Sequence, residues 1–161
     1  MAFLRAGRRA SIIARLVATA GGAGYSPIAP GTCGTLVALP IVWACRSVTV
    51  WPFLGLVMLV TLAGIAAAER ADAVWNTHGS TRIVIDDVAG YLLTVAFVDR
   101  SSLRMLLIGF VLYRAIAIIK PPPIRWIDDN VPGGAGVVLG DVAAGILGAL
   151  VMVAIQAFWR Q

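Results

Sequence analysis

Uncharged, apolar stretches follow one another along the chain at residues 16–45, 47–68, 88–98, 105–113 with 115–119, and 142–159, divided by short clusters of charge. A helix rises about 1.5 Å per residue and needs roughly 20 residues to cross about 30 Å of hydrocarbon. By that measure 51–68 and 139–159 are long enough, 103–119 nearly so, and 88–98 is short. Five glycines and two prolines within 21–34 break the first stretch into a loop followed by an apolar helix at about 35–45. The pattern predicts an all-α fold, a small polytopic membrane helical bundle of about five segments near 35–45, 51–68, 86–98, 103–119 and 139–159. Segments too short to span need shielding by neighbouring protein. A single membrane-embedded domain covers 1–161, with 1–20 as its basic N-terminal segment.

Composition sharpens this picture. Apolar residues make up 60% of the 161 and charged ones only 13%, against about a quarter in soluble domains, which argues against a soluble protein and excludes disorder and collagen. The 13 basic residues flank apolar segments and form no face interleaved with stacking aromatics, so no nucleic-acid partner is expected. Cys33 and Cys45 come without a Cys-x-x-Cys motif and with a single histidine, His78, which excludes a zinc site and leaves two small buried thiols. Arg5, Arg8 and Arg9, then Ile12-Ile13 and Ala18-Thr19-Ala20, imitate a signal peptide, but Arg15 interrupts the apolar part. A basic amphipathic segment at the cytoplasmic surface is the expectation.

Orientation follows from the basic residues. With the N-terminus inside, nine arginines and lysines (Arg5, Arg8, Arg9, Arg15, Arg70, Arg82, Arg114, Lys120 and Arg125) are cytoplasmic and four (Arg46, Arg100, Arg104 and Arg160) lie outside, as the positive-inside rule prefers. This topology gathers the polar loops 21–34, 69–87 and 120–137 on one cytoplasmic face, together with seven of the eight acids.

Each loop carries its own chemistry. Gly24 to Thr35 combines turn-forming glycines and prolines with Ser26, Thr32 and Thr35, and leads into a helix N-terminus whose free N–H groups favour an anionic oxygen. A plain Gly-rich turn with a threonine cap is the alternative. Asp86-Asp87 opens an apolar helix, where two adjacent carboxylates call for a cation, an arginine or the helix dipole. Mg²⁺ fits such hard oxygen ligands and leaves room for water and phosphate. Lys120 and Arg125, held by Pro121-Pro122-Pro123, are suited to clamp a phosphate or else to snorkel. Asp141 opens a stretch of 18 uncharged, mostly apolar or small residues, which makes it a functional candidate. Asp87-Val88-Ala89-Gly90 and Asp141-Val142-Ala143-Ala144-Gly145 echo each other as acid-headed helices slim enough for close packing.

The ordered motifs Ser-Pro-Ile-Ala-Pro-Gly-Thr-Cys-Gly-Thr (26–35), Ile-Asp-Asp-Val-Ala-Gly (85–90), Arg114 before Lys120-Pro121, Pro-Ile-Arg-Trp-Ile-Asp (123–128), Gly-Gly-Ala-Gly (133–136) and Asp141 before Ala144-Gly145 resemble the phosphatidylglycerophosphatase A family. The resemblance runs from about Gly24 to Gly145. It implies a multi-pass protein of the bacterial inner membrane, with Mg²⁺ as cofactor, that hydrolyses the terminal phosphate of phosphatidylglycerophosphate to give phosphatidylglycerol. Partners would then be the phospholipid substrate and the bilayer. Together with the loop chemistry, it places Asp86, Asp87 and Asp141 as metal ligands, and these three with Lys120 and Asp128 as catalytic residues. Ser26, Gly31, Thr32, Gly34, Thr35, Arg114 and Arg125 become substrate contacts. The family pattern carries acids where this chain has Ala117 and Gly140, and a glutamate where it has Asp87. These departures keep open a homologue that binds anionic phospholipid without hydrolysis, and the intramembrane acids a small transport protein. A lone histidine, the lack of Cys-x5-Arg and the lack of Asp-x-Asp-x-Thr exclude the other common phosphatase chemistries, leaving metal-assisted attack of water.

Overall fold

In the computed structural model, residues 11–77, 80–131 and 133–159 are described, and every regular element among them is helical. The order is α1 (residues 11–18), a 3-10 turn at Ala23–Tyr25, α2 (Pro30–Ala44), α3 (Val50–Trp75), α4 (Ile85–Thr94), α5 (Leu103–Ile119), α6 (Pro122–Asn130) and α7 (Gly133–Trp159). Among the described residues only α3 and α7 are long and apolar enough to cross a membrane, each reaching about 40 Å at the usual rise. Large apolar side chains point away from the bundle on three helices: Leu59 and Leu62 of α3, Val111 and Ile118 of α5, and Leu150 of α7. An apolar exterior of this kind suits hydrocarbon rather than water.

The short helix α4 is the centre of the fold. It packs against α2, α3, α5 and α7, and its residues from Asp86 to Leu92 are all buried. Its closest neighbour is α7, because both helices are slim where they cross. A Cβ placed on Gly145 would stand 2.5 Å from the Gly90 carbonyl oxygen and 3.0 Å from Gly90 Cα. Below this crossing the Thr94 hydroxyl donates to the Gly90 carbonyl at 2.9 Å. Tyr91 donates to the Leu106 carbonyl at 2.8 Å and ties α4 to α5. At the far end the buried Arg100 donates to the Ala96 and Val48 carbonyls and lies 4.2 Å from the centre of the Phe53 ring.

Several boundaries differ from the sequence pattern. The stretch 120–137, read as a loop, contains α6 and the start of α7. The prolines explain this: they end α5 at Lys120, which sits in the left-handed region at φ 45°, and Pro122 then starts the next helix, where its missing N–H is not needed. Likewise α2 begins at Pro30, five residues before the expected start, and α3 runs on to Trp75 through Ala66-Ala67-Ala68-Glu69-Arg70, which are good helix formers. Cys33 and Cys45 are half-buried free thiols rather than buried ones. His78, Arg5, Arg8, Arg9 and Arg160 lie outside the described residues.

Candidate active site

The sequence places acids one turn before each glycine of the α4–α7 crossing: Asp86 precedes Gly90 and Asp141 precedes Gly145, each by four residues. Residues four apart share a helix face, so the contact that brings the glycines together also brings the acids together. Asp86, Asp87 and Asp141 are all buried, and each offers a carboxylate oxygen within 4.8 Å of the others. Asp86 Oδ1 accepts the Asp87 backbone N–H at 2.9 Å, and both acids stand in the first turn of α4, where the helix dipole favours negative charge.

Helix α5 supplies the donors. The Tyr113 hydroxyl donates to Asp141 Oδ2 at 3.0 Å and approaches Asp87 Oδ1 at 3.4 Å. Arg114 forms an ion pair with Asp87. Lys120 pairs with Asp128 of α6, and its Nζ lies 4.0 Å from Asp141 Oδ1. Burial alone would pull the Lys120 ammonium down. The Asp128 hydrogen bond and the charges of Asp141, Asp128 and Asp86 outweigh it and hold this group above the ordinary lysine value. Four carboxylates therefore face two cationic side chains, and Asp128 Oδ1 is buried with no hydrogen-bond partner. That oxygen lies over Gly140, where a Cβ would overlap it and stand 2.8 Å from Asp128 Cγ.

The glycine-rich segment reaches the cluster at one point. Gly31, in the first turn of α2, lies directly on the Asp87–Arg114 pair, and a Cβ there would stand 3.1 Å from both terminal Arg114 nitrogens. The other segment residues are engaged elsewhere. The Thr35 hydroxyl donates to the Gly31 carbonyl at 3.0 Å, and that of Ser26 to the Ile28 carbonyl at 2.8 Å. Gly34 packs on Val84, 2.8 Å from its carbonyl oxygen to a built Cβ, and Thr32 is half-buried on α2. Arg125 stays out of the cluster and lines a groove beside Lys120. The residue that sequence reasoning passed over is Tyr113. Its position next to Arg114 on an otherwise apolar helix was the available signal.

Among the described residues, these features define an all-helical protein with two helices long and apolar enough to cross a membrane and an acid-rich polar cluster buried where α4 and α7 cross. The phosphatidylglycerophosphatase A profile matches residues 16–156. The chain is 32% identical over 145 residues to phosphatidylglycerophosphatase A of Escherichia coli K12, covering 89% of this chain and 84% of that one. A like-named protein of Haemophilus influenzae is also 32% identical, at 89% and 88% coverage. A Bacteroides thetaiotaomicron protein with the provisional name phosphatidylinositol-3-phosphatase is 36% identical over 148 residues, covering 86% of this chain and 91% of that one. No solved structure gives a significant match. The chain belongs to the phosphatidylglycerophosphatase A family, whose members are phosphoric monoester hydrolases.

Proposed function

We propose that this protein hydrolyses the terminal phosphate of phosphatidylglycerophosphate, giving phosphatidylglycerol and inorganic phosphate, at a Mg²⁺-dependent site on the cytoplasmic face of the bacterial inner membrane. The observation that carries the reading is the convergence of Asp86, Asp87 and Asp141 beside Lys120 in a chain of this family. The donor set suits the ion. All three ligand groups are hard carboxylate oxygens, and Arg114 and Lys120 leave two of the four negative charges in the cluster uncompensated, as one divalent cation requires. Bound there, Mg²⁺ would supply positive charge against the phosphate oxygens.

The protein's own groups have distinct tasks. Arg114 and Tyr113 orient Asp87 and Asp141. Lys120 offers its ammonium to a non-bridging phosphate oxygen, where charge builds as the water oxygen bonds to phosphorus and the bond to the glycerol oxygen breaks. Asp128, with one buried oxygen free, accepts the proton of the attacking water and returns it to the departing glycerol oxygen. The first turn of α2, lying on the Asp87–Arg114 pair through Gly31, presents backbone N–H groups on the same side.

The membrane arrangement belongs to the same proposal. The basic residues of a five-segment chain favour the N-terminus and the site inside, with α6 lying along the interface and α3 and α7 crossing. A single domain spans the chain.

Phosphate release by the purified protein from phosphatidylglycerophosphate, phosphatidic acid and lysophosphatidic acid, with and without Mg²⁺, tests the function. Mg²⁺-dependent release, fastest from phosphatidylglycerophosphate, is expected. Binding of these lipids without release from any would instead support a non-hydrolytic lipid-binding homologue, the reading that Ala117 and Gly140 favour.

A further inference from the structure

The carboxylate cluster leaves a neighbouring feature without a task. Between the end of α5 and the outer face of α6 runs a groove of 540 Å³, lined among others by Ile119, Lys120, Arg125, Trp126 and Asp129. Lys120 belongs both to this groove and to the cluster, so the groove adjoins the site. Arg125 is exposed, and among the described residues its guanidinium has no ion pair and no hydrogen bond. Asp129 stands four residues further along α6 in the same groove and is also unpaired.

A free guanidinium fork matches phosphate oxygens. With Asp129 beside it, a dianion is disfavoured and a singly charged group is suited. The wall is completed by Trp126 and Ile119, 64% and 72% exposed, an amphipathic ring and an aliphatic chain of the kind found where headgroups meet hydrocarbon.

We propose that this groove is the subsite for the phosphodiester of a phospholipid whose terminal phosphomonoester lies at Lys120 and the carboxylates, and that Arg125 selects lipids carrying both groups. The inference rests on the lipid-phosphatase reading above. Phosphatidylglycerophosphate and phosphatidylinositol 3-phosphate, the lipids in the names of the relatives, both have a phosphodiester joined through a polyol to a phosphomonoester. Phosphatidic acid has the monoester alone.

The test compares wild type with Arg125→Gln, an exposed substitution whose folding is checked by melting in detergent. Two quantities are read: kcat/KM for phosphatidylglycerophosphate relative to phosphatidic acid, and the inhibition constant of phosphatidylglycerol, which carries only the diester. The specificity ratio should fall about tenfold, mostly through KM, and the inhibition constant should rise about as much, the size expected for one charge-assisted contact. Arg125→Lys, which keeps the charge and loses the fork, should fall between. An unchanged ratio together with an unchanged inhibition constant would overturn the subsite while leaving the lipid-phosphatase reading intact. A wild-type protein that releases phosphate from neither lipid would overturn that reading and the subsite with it.

Discussion

Adding one methyl group at the α4–α7 crossing should damage the site through the backbone alone. In Gly145→Ala the new Cβ would stand 2.5 Å from the Gly90 carbonyl oxygen, whereas a carbon settles at about 3.3–3.6 Å from such an oxygen. The atoms it meets are backbone, so no side chain can swing aside, and α7 must move off α4 by about 1 Å. Overpacking of this kind costs about 1–3 kcal/mol. Alanine is also the better helix former by about 1 kcal/mol, which would mask part of the cost. Gly55→Ala corrects for that: Gly55 lies on α3 with nothing within 4 Å of a built Cβ, so it receives the helix gain without the clash. The difference between the two variants isolates the packing term, and at about 2–4 °C per kcal/mol it should separate their melting temperatures by about 2–12 °C in one detergent. Asp141 is carried one turn from the displaced residue, so turnover should fall about a hundredfold, as for other displacements near 1 Å. Equal melting temperatures and equal turnover for Gly145→Ala and Gly55→Ala would refute the claim that this crossing sets the site.

Other perturbations separate the roles of the charges. Arg114→Gln leaves Asp87 buried with its main partner gone and should cost about 3 kcal/mol, read as a lower melting temperature that recovers as Mg²⁺ is added; full stability without the ion would contradict the pairing. Gly140→Ala meets a side chain, Asp128, rather than backbone, so its melting temperature should fall less than that of Gly145→Ala while turnover falls at least tenfold as Asp128 is pushed from Lys120; undiminished activity would remove Asp128 from the mechanism. The Lys120 ammonium is held above its ordinary value despite burial. Its pairing with Asp128 is therefore fully present below the unfolded lysine value and lost only as pH rises through the higher folded one. The pH–rate profile should accordingly show no alkaline loss from this group below about pH 10, and a descending limb near pH 8 that vanishes in Lys120→Arg would count against it.

The sequence pattern carried the helices and the acids further than the boundaries. Alternation of apolar stretches and charge clusters located α3, α5 and α7, and the echo of Asp87 to Gly90 with Asp141 to Gly145 anticipated that two acid-headed helices cross on small residues. The segment 120–137 was misread because three consecutive prolines mark both the end of one helix and the start of another, and only packing distinguishes a loop from α6. The carboxylate cluster of the candidate site was legible where buried charge is costly, at Asp86, Asp87 and Asp141. It was less legible where hydroxyls have two uses: Thr35 and Ser26 bond to nearby carbonyls, the local alternative always open to such residues. Tyr113, an apolar-looking member of α5 by pattern, becomes a site residue only when tertiary structure points its hydroxyl at Asp141.

In the proposed mechanism Asp86, Asp87 and Asp141 together hold one divalent cation used in phosphate release. Manganese is a paramagnetic stand-in for Mg²⁺, and titrating Mn²⁺ into purified wild type and Asp141→Asn, followed by the loss of the free-ion resonance, reads that site directly. One tightly bound ion per wild-type chain, displaced by Mg²⁺ and absent from the variant, is the predicted result. Binding that is equal in the two proteins, or absent from wild type, would contradict it.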